Sequence, residues 1–275
     1  MSFYLPRLVP DGPGEPQSTA GIKLGAVEAM PIDDVVLIMG ASGGIGVALS
    51  EHLLKSGYRN LVCQYHSRSS EIREVLRKNG LDPDERLLQA DLRDEEQVSS
   101  MRKRIEERLG PVYGLVNLAG GSTNAMSWKL SAQQFRETLD LNLMTTFFAC
   151  REFIPGMRER ASGRIINISS VVAFSGAAGA SHYGAAKAAI VGFSKSLALE
   201  LSPKNVLVSV IALGYFQYGL IQTIPEATQA EIRSRIPARR FGTAEEVGGM
   251  VEFLLGKSGG YSSGQVYHLN GGLYS

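Results

Sequence analysis

Charge of either sign is not in excess in this 275-residue chain: 28 Lys and Arg stand against 27 Asp and Glu, a formal net charge of +1. That balance gives no argument for nucleic acid or an anionic membrane surface as a partner. Cysteine is scarce as well. Cys63 and Cys150 lie in apolar stretches with no metal-ligating residues nearby, so the expectation is no metal site and two buried, reduced thiols in a cytoplasmic compartment. No apolar run reaches the ~18 residues of a membrane helix, and the N-terminus lacks a charged-then-apolar leader pattern. Internal repeats are missing too, and 44% apolar content suits one sizeable domain with a full core.

What is present begins at about residue 31. Residues 1–30 carry Pro6, Pro10, Pro13, Pro16, Gly12 and Gly14, which break any periodicity; an irregular extension is expected there, wrapping the surface, disordered or binding a partner. Over 31–275 short apolar runs alternate with amphipathic stretches, the pattern of βαβ units in a doubly wound parallel α/β sheet. Strands are expected near Val35–Met39, Asn60–Tyr65, Arg86–Ala90, Val112–Asn117, Arg164–Ser170, Leu207–Ala212 and Gln265–Leu269, with the longest helices near Ser131–Arg160 and Tyr183–Leu201.

The first strand runs into Gly40-Ala-Ser42-Gly43-Gly44-Ile45-Gly46, followed at once by a helical pattern. Glycine there lets the backbone turn tightly and approach a pyrophosphate held by the N–H groups of the helix N-terminus. The second strand ends Gln64-Tyr65-His66-Ser67-Arg68, without the acid that would bind the ribose 2′-hydroxyl of NAD. NADPH is therefore expected, with Ser67 and Arg68 on the 2′-phosphate and Tyr65 beside the adenosine. The alternative is that Arg68 is a solvated helix residue. In Ala90-Asp91-Leu92 the carboxylate could accept from the adenine amino group, or cap a helix starting at Arg93. The fourth strand ends Asn117-Leu118-Ala119-Gly120-Gly121, small enough to pass against a ribose.

A second stretch carries the chemistry. Asn167-Ile-Ser-Ser170 closes a buried strand, and Tyr183-Gly-Ala-Ala-Lys187 follows on an Ala-rich helix. Residues four apart share one helix face, so the Lys187 ammonium can sit beside the Tyr183 phenol and favour its ionised form. Ser170 could aim a hydroxyl at the same oxygen, a constellation for protonating an alkoxide as it forms from a ketone. Ten Tyr and nine Lys make a chance Tyr-x-x-x-Lys expected in about one such chain in three, so the pair gains weight only from the glycine motif upstream.

Gly40-xxx-Gly44-Ile45-Gly46, Asn117-x-Ala119-Gly120, Asn142, Ser170 and Tyr183-xxx-Lys187 fall in the order and spacing of the short-chain dehydrogenase/reductase family, which the chain resembles from about Asp34 onward. Asn167-x-Ser-Ser170-Val-Val, Leu141-Asn142-Leu143 and His268-Leu-Asn270-Gly-Gly272 resemble the 3-oxoacyl-[acyl-carrier-protein] reductases. The resemblance implies a single Rossmann-type domain of about seven strands with helices on both faces. It also implies NADPH-dependent reduction of a 3-oxoacyl thioester, linked to acyl-carrier protein or CoA, in fatty acid or polyketide-type synthesis. A reductase of another alcohol, sugar or polyketide, and a cofactor-binding subunit with little turnover, are the alternatives. Tyr183 would be the acid, Ser170 the group polarising the oxygen, and Lys187 the ribose ligand that depresses Tyr183. Asn142 would mark a helix kink and place a water leading from Lys187 to solvent. Asp91 and Leu92 would flank the adenine, and the Gly214–Phe216 backbone would hold the carboxamide.

Three places depart from that family's pattern. Met39 and Leu118 stand where threonine and asparagine are usual, as an apolar pair that could pack together. Leu213 and Tyr218 replace the proline and threonine around the nicotinamide. Residues up to about Arg240 should form a substrate lid, with Arg239 and Arg240 as solvated charges or substrate contacts. Arg158, Arg160 and Lys204 are candidates for an acidic carrier's docking patch, or simply helix-end cations. Trp128 could line the pocket or pack elsewhere. Phe147, Phe148, Phe153, Ile190, Phe193 and Leu197 exceed what one sheet face needs, which suggests a homo-oligomer, a tetramer or a dimer.

Overall fold

The apolar runs that punctuate the sequence become seven strands: β1 (Val35–Met39), β2 (Leu61–Tyr65), β3 (Leu87–Gln89), β4 (Val112–Asn117), β5 (Gly163–Ser170), β6 (Val206–Leu213) and β7 (Val266–Leu269). The computed structural model describes residues 33–275, apart from the side chain of residue 220, so the expected extension over 1–30 lies outside the described residues. All neighbouring strands pair in parallel, in the order β3-β2-β1-β4-β5-β6-β7. Strand order reverses between β1 and β4, and a crevice opens there at the carboxyl ends of the strands. One boundary differs from expectation. Arg86 closes a short helical turn rather than opening a strand, because Asp82 caps that turn by accepting from Asp84 N at 3.0 Å and Pro83 starts it.

Among the described residues ten α-helices connect and cover the sheet: α1 (Gly44–Lys55), α2 (Ser70–Lys78), α3 (Pro83–Arg86), α4 (Glu95–Leu109), α5 (Ala132–Leu139), α6 (Thr145–Glu159), α7 (Val172–Ser175), α8 (Ser181–Leu201), α9 (Glu226–Arg235) and α10 (Ala244–Leu255). Alternation along β1 sorts the two layers. Val36 and Ile38 pack with Leu49, Leu53, Leu76 and Val251 from α1, α2 and α10. Val35, Leu37 and Met39 pack with Met101, Phe153 and Leu197 from α4, α6 and α8. A sheet covered on both faces needs apolar residues at both parities, which is why β1 reads Val-Val-Leu-Ile-Met without a polar break. Cys63 and Cys150 are buried, one in each layer, and burial pushes each thiol up to about 12.

The stretch expected as one helix over 131–160 is continuous but not uniform. Ser131 and Gln134 form a reciprocal cap at the start of α5, and a π-helical turn, Asp140–Met144, separates α5 from α6. That wide turn carries Asn142.

Parallel strands fix the polarity of everything else. Every carboxyl end lies at one edge of the sheet, and each crossover helix runs back toward the other edge. Arg158 lies in the last turn of α6 and Arg160 just past it, Lys204 stands two residues before β6, and Arg160 Nη2 donates to the carbonyl of Val112, the first residue of β4, at 2.9 Å. These three cations therefore stand at the edge opposite the crevice. The expectation that they border the site mouth is corrected by helix direction.

Candidate active site

The crevice wall on the β1 side is made of backbone. Gly40 turns the chain at φ +78°, and a Cβ there would lie 2.7 Å from both N and Cα of Ala119. A Cβ on Gly46 would lie 2.5 Å from the carbonyl oxygen of Gly40. Glycine at these two positions lets β1, β4 and α1 meet this closely. No side chain caps Gly43, so the first N–H groups of α1, at Gly44, Ile45 and Gly46, are free to point at an anion. Ser42 is partly buried beside them, and Ile45 packs on the core. Gln64 holds the turn from below: its Oε1 accepts from Gly40 N at 2.8 Å and its Nε2 donates to Ala90 O at 2.7 Å.

Past β2, Ser67 and Arg68 are exposed at the crevice edge, and Tyr65 is partly buried with its hydroxyl 3.5 Å from Gln89 Oε1. Asp91 does not cap the next helix. Asp94 does, accepting from Glu96 N and Gln97 N, while Asp91 holds Arg93 through Nε at 2.9 Å and Nη2 at 2.6 Å. The Arg93 guanidinium draws the Asp91 carboxyl down to about 2. Leu92 is buried in the core, so only its backbone can face a ligand.

Ser170, Tyr183 and Lys187, the expected triplet, lie close together. Ser170 ends β5 and Tyr183 lies in the first turn of α8, which puts the Ser170 hydroxyl beside the Tyr183 phenol. Burial raises the phenol above its ordinary value, and the Ser170 hydroxyl pulls it back. Lys187, only 4% exposed, donates from Nζ to Ile168 O at 3.0 Å, and burial lowers it to about 8. Its Nζ sits 5.7 Å from the centroid of the Tyr183 ring. The amine thus lies near the Tyr183 ring, while burial is the largest influence on the phenol.

Asn142 meets Lys187 over Gly120. A Cβ at Gly120 would lie 2.4 Å from Asn142 Oδ1 and 3.2 Å from Lys187 Nζ. Asn142 Nδ2 donates to Gly121 O at 2.8 Å and Thr138 O at 2.9 Å, and Oδ1 accepts from Gly121 N at 3.3 Å. The π-helical turn therefore ties the end of β4 to the catalytic pair.

Asn117 is not brought to the crevice. Its Nδ2 donates to Asn167 Oδ1 at 2.8 Å inside the sheet, so only its backbone borders the site. Met39 and Leu118 do not pack on each other either. They point to opposite faces, and the turn is tied instead by Leu118 N donating to Met39 O at 3.1 Å. Gly214 lies against Asn270, where a Cβ would meet Cα at 2.7 Å. Phe216 is buried, and the strand-like bridge beside it uses the Tyr215 carbonyl and the Gln217 N–H, both to Gly242. The N–H and carbonyl of Phe216 itself are left facing the other way. Tyr218 and Gly219 press on the glycine-rich turn: a Cβ on Gly44 would lie 2.4 Å from Gly219 N. Arg240 pairs with Glu246, which reciprocally caps α10 with Thr243, and Arg239 is exposed at φ +57°. Trp128 is 79% exposed rather than packed. Gln64, Asn167 and His182 were missed as site residues, since a buried amide or imidazole carries no motif until its partner from another element is known.

A strand–glycine turn–helix beside a Ser-Tyr-Lys cluster defines a nucleotide-dependent dehydrogenase, and the comparisons agree. The family model described as short chain dehydrogenase matches residues 34–229, and the chain belongs to that family. It is an NAD(P)-dependent oxidoreductase acting on CH–OH groups. More particularly, it is 35% identical over 242 residues to nodulation protein G of Azospirillum brasilense and 34% identical over 241 residues to acetoacetyl-CoA reductase of Acinetobacter sp. strain RA3849. It is 33% identical over 242 residues to the 3-oxoacyl-[acyl-carrier-protein] reductase FabG of Aquifex aeolicus strain VF5. Each match covers 87% of this chain and 97% of the relative. Among the described residues no cluster of three or more His, Cys, Asp or Glu could hold a metal, and no helix is long and apolar enough to cross a membrane.

Proposed function

We propose that the chain uses NADPH to reduce the 3-oxo group of an acyl thioester, carried by acyl-carrier protein or CoA, to a hydroxyl. The observation that carries this reading is the Ser170 hydroxyl beside the Tyr183 phenol with the Lys187 amine 5.7 Å from the ring centroid. The relatives named for acetoacetyl-CoA and 3-oxoacyl substrates support the substrate class. The glycine cradle and the uncapped start of α1 fit a dinucleotide, with Ser67 and Arg68 reaching a 2′-phosphate and no acid at the end of β2 to favour the free hydroxyl. Tyr65 would flank the adenosine, Asp91 and the Leu92 backbone the adenine, and the Asn117 backbone, Ala119 and Gly120 the ribose. Gly214 and the backbone of Phe216 would hold the carboxamide.

When bound, the nicotinamide supplies the hydride. Ser170 then fixes the ketone oxygen and Tyr183 delivers a proton to it as negative charge grows there. Lys187 binds the ribose and keeps positive charge below the phenol. Asn142 positions a water for proton resupply. Phe153, Ile190 and Leu197 are spent in the core of the chain, whereas the Phe147, Phe148 and Phe193 rings cluster at 5.6 and 6.0 Å in partly exposed positions, where a second copy would cover them. Lys129, beyond β4, is a cation at the sheet edge that an acidic carrier would approach.

The test is NADPH oxidation by the purified chain against a panel of 3-oxoacyl thioesters, simple ketones and sugars, with NADH in parallel. Turnover of a 3-oxoacyl thioester is expected. Binding of NADPH without turnover of any ketone would favour the second reading, a cofactor-binding subunit, which Tyr218 and Gly219 seated on Gly44 support.

A further inference from the structure

The segment after β4, residues 122–129, is laced to the turn that enters α8. Ala125 N donates to Gly179 O at 2.9 Å, and Ser127 Oγ donates to Ser181 Oγ at 2.8 Å. His182 Nε2 lies 2.9 Å from Thr123 O and 3.3 Å from Ser122 Oγ. The segment has little else to hold it. It contains a single three-residue helical turn, and Met126 and Trp128 are exposed. With so little apolar burial, its order depends on these hydrogen bonds.

His182 differs from the other fasteners. It is wholly buried, at 0% exposure, and immediately precedes Tyr183. A carbonyl only accepts, so the contact to Thr123 assigns the proton to Nε2. Nδ1 is then a bare lone pair, buried and without a partner. Leaving an acceptor buried and unmatched is unfavourable, and phenylalanine would fill the same space without that penalty. What imidazole alone adds is an Nε2–H aimed at the Thr123 carbonyl.

We propose that His182 is a positioning residue that fastens the 122–129 segment to the first turn of α8, setting the distance between this pocket wall and the Tyr183 hydroxyl. The near end of the wall is already held at Gly121 by Asn142. His182 holds its middle. The assignment of the wall to a ketone pocket rests on the reading of Tyr183 as the acid. His182 itself makes no contact with the reacting atoms, so its effect falls on substrate affinity and selectivity more than on the chemical step.

The sequence provides the reporter: Trp128 is the single tryptophan of the chain and lies in this segment. Time-resolved anisotropy of Trp128, the thermal midpoint, and KM and kcat are measured on the full chain for wild type, His182→Phe and His182→Gln. Gln places an amide donor at the reach of Nε2. His182→Phe is expected to enlarge the fast anisotropy component of Trp128 and raise KM about tenfold with kcat within threefold, at an unchanged or higher thermal midpoint. His182→Gln should restore both readings. If His182→Phe does not fold, His182→Asn, whose donor is drawn back toward the helix, should show the same loosening. The proposal is overturned if Trp128 keeps its anisotropy in the donor-shifted or donor-free variant, if Gln is as impaired as Phe, or if kcat carries the whole loss. A wild type that turns over no ketone sinks the reductase reading, while the Trp128 measurement still decides whether His182 fastens the wall.

Discussion

The two halves of the sheet solve the same problem in opposite ways. In the cofactor half, β1 is apolar throughout, and the groups that face the crevice are main-chain N–H and carbonyls exposed by Gly40, Gly43, Gly44 and Gly46. In the catalytic half, β5 is just as buried, yet its last four residues include Asn167, Ser169 and Ser170. Each is satisfied from another element. Asn167 accepts from Asn117 and donates to Ser194 Oγ at 2.9 Å, Ser169 Oγ donates to Lys187 O at 2.8 Å, and Lys187 donates to Ile168 O. Holding a charged phosphate needs only free backbone at a helix start, but moving a proton needs side chains at fixed depth. The catalytic half therefore keeps more polar groups in its core at a cost in stability, whereas the cofactor half buries few, Gln64 and Ser50 among them.

Substitutions can break or sharpen that contrast. The largest effect should be kinetic: Tyr183→Phe is expected to lower kcat/KM for the ketone about 10²–10⁴-fold while leaving NADPH affinity, read by fluorescence titration, nearly unchanged. Next, Asn167→Ala should cost about 2–4 kcal/mol in urea unfolding, because it strands the buried Asn117 amide and the Ser194 hydroxyl in the catalytic half. A loss under 1 kcal/mol there would contradict the contrast. Lys187→Met should act in the opposite direction, stabilising the fold by about 1–3 kcal/mol at pH 7 while abolishing activity. The sign follows from its lowering from 10.5 to about 8 by burial. Between those values the unfolded chain binds more protons, so wild type gains stability as pH rises through that window. The advantage of the variant is thus full below pH 8 and shrinks toward pH 10.5. The smallest effect belongs to the cofactor half, where exposed Arg68→Asp should shift the NADPH to NADH preference about tenfold with no change in unfolding free energy.

The halves also differ in how much of them could be read in advance. The glycine turn was legible because its spacing is local to one strand–turn–helix unit, although Gly40 and Gly44 answer to Ala119 and Gly219 from distant elements. Tyr183 and Lys187 were legible because a helix places i and i+4 together wherever it sits. Arg158, Arg160 and Lys204 were misplaced because nearness to a site motif along the chain is not nearness in space when helices run back to the other sheet edge. Asp91 lost the capping role to Asp94 because the helix begins two residues later than its pattern suggests. The Asn117 side chain turned into the sheet because a strand residue can face only one layer, and the partner waiting in that layer was Asn167.

By itself the sequence determined the alternation of strands and helices, the site of the glycine turn and the Ser-Tyr-Lys set, since each follows from periodicity or spacing within one unit of structure. Tertiary structure alone decided which polar groups meet inside the sheet, which edge a cation occupies and where a proton sits on His182. Those depend on partners from distant elements and on how much water is excluded when they close, and neither is written in the spacing of residues along the chain.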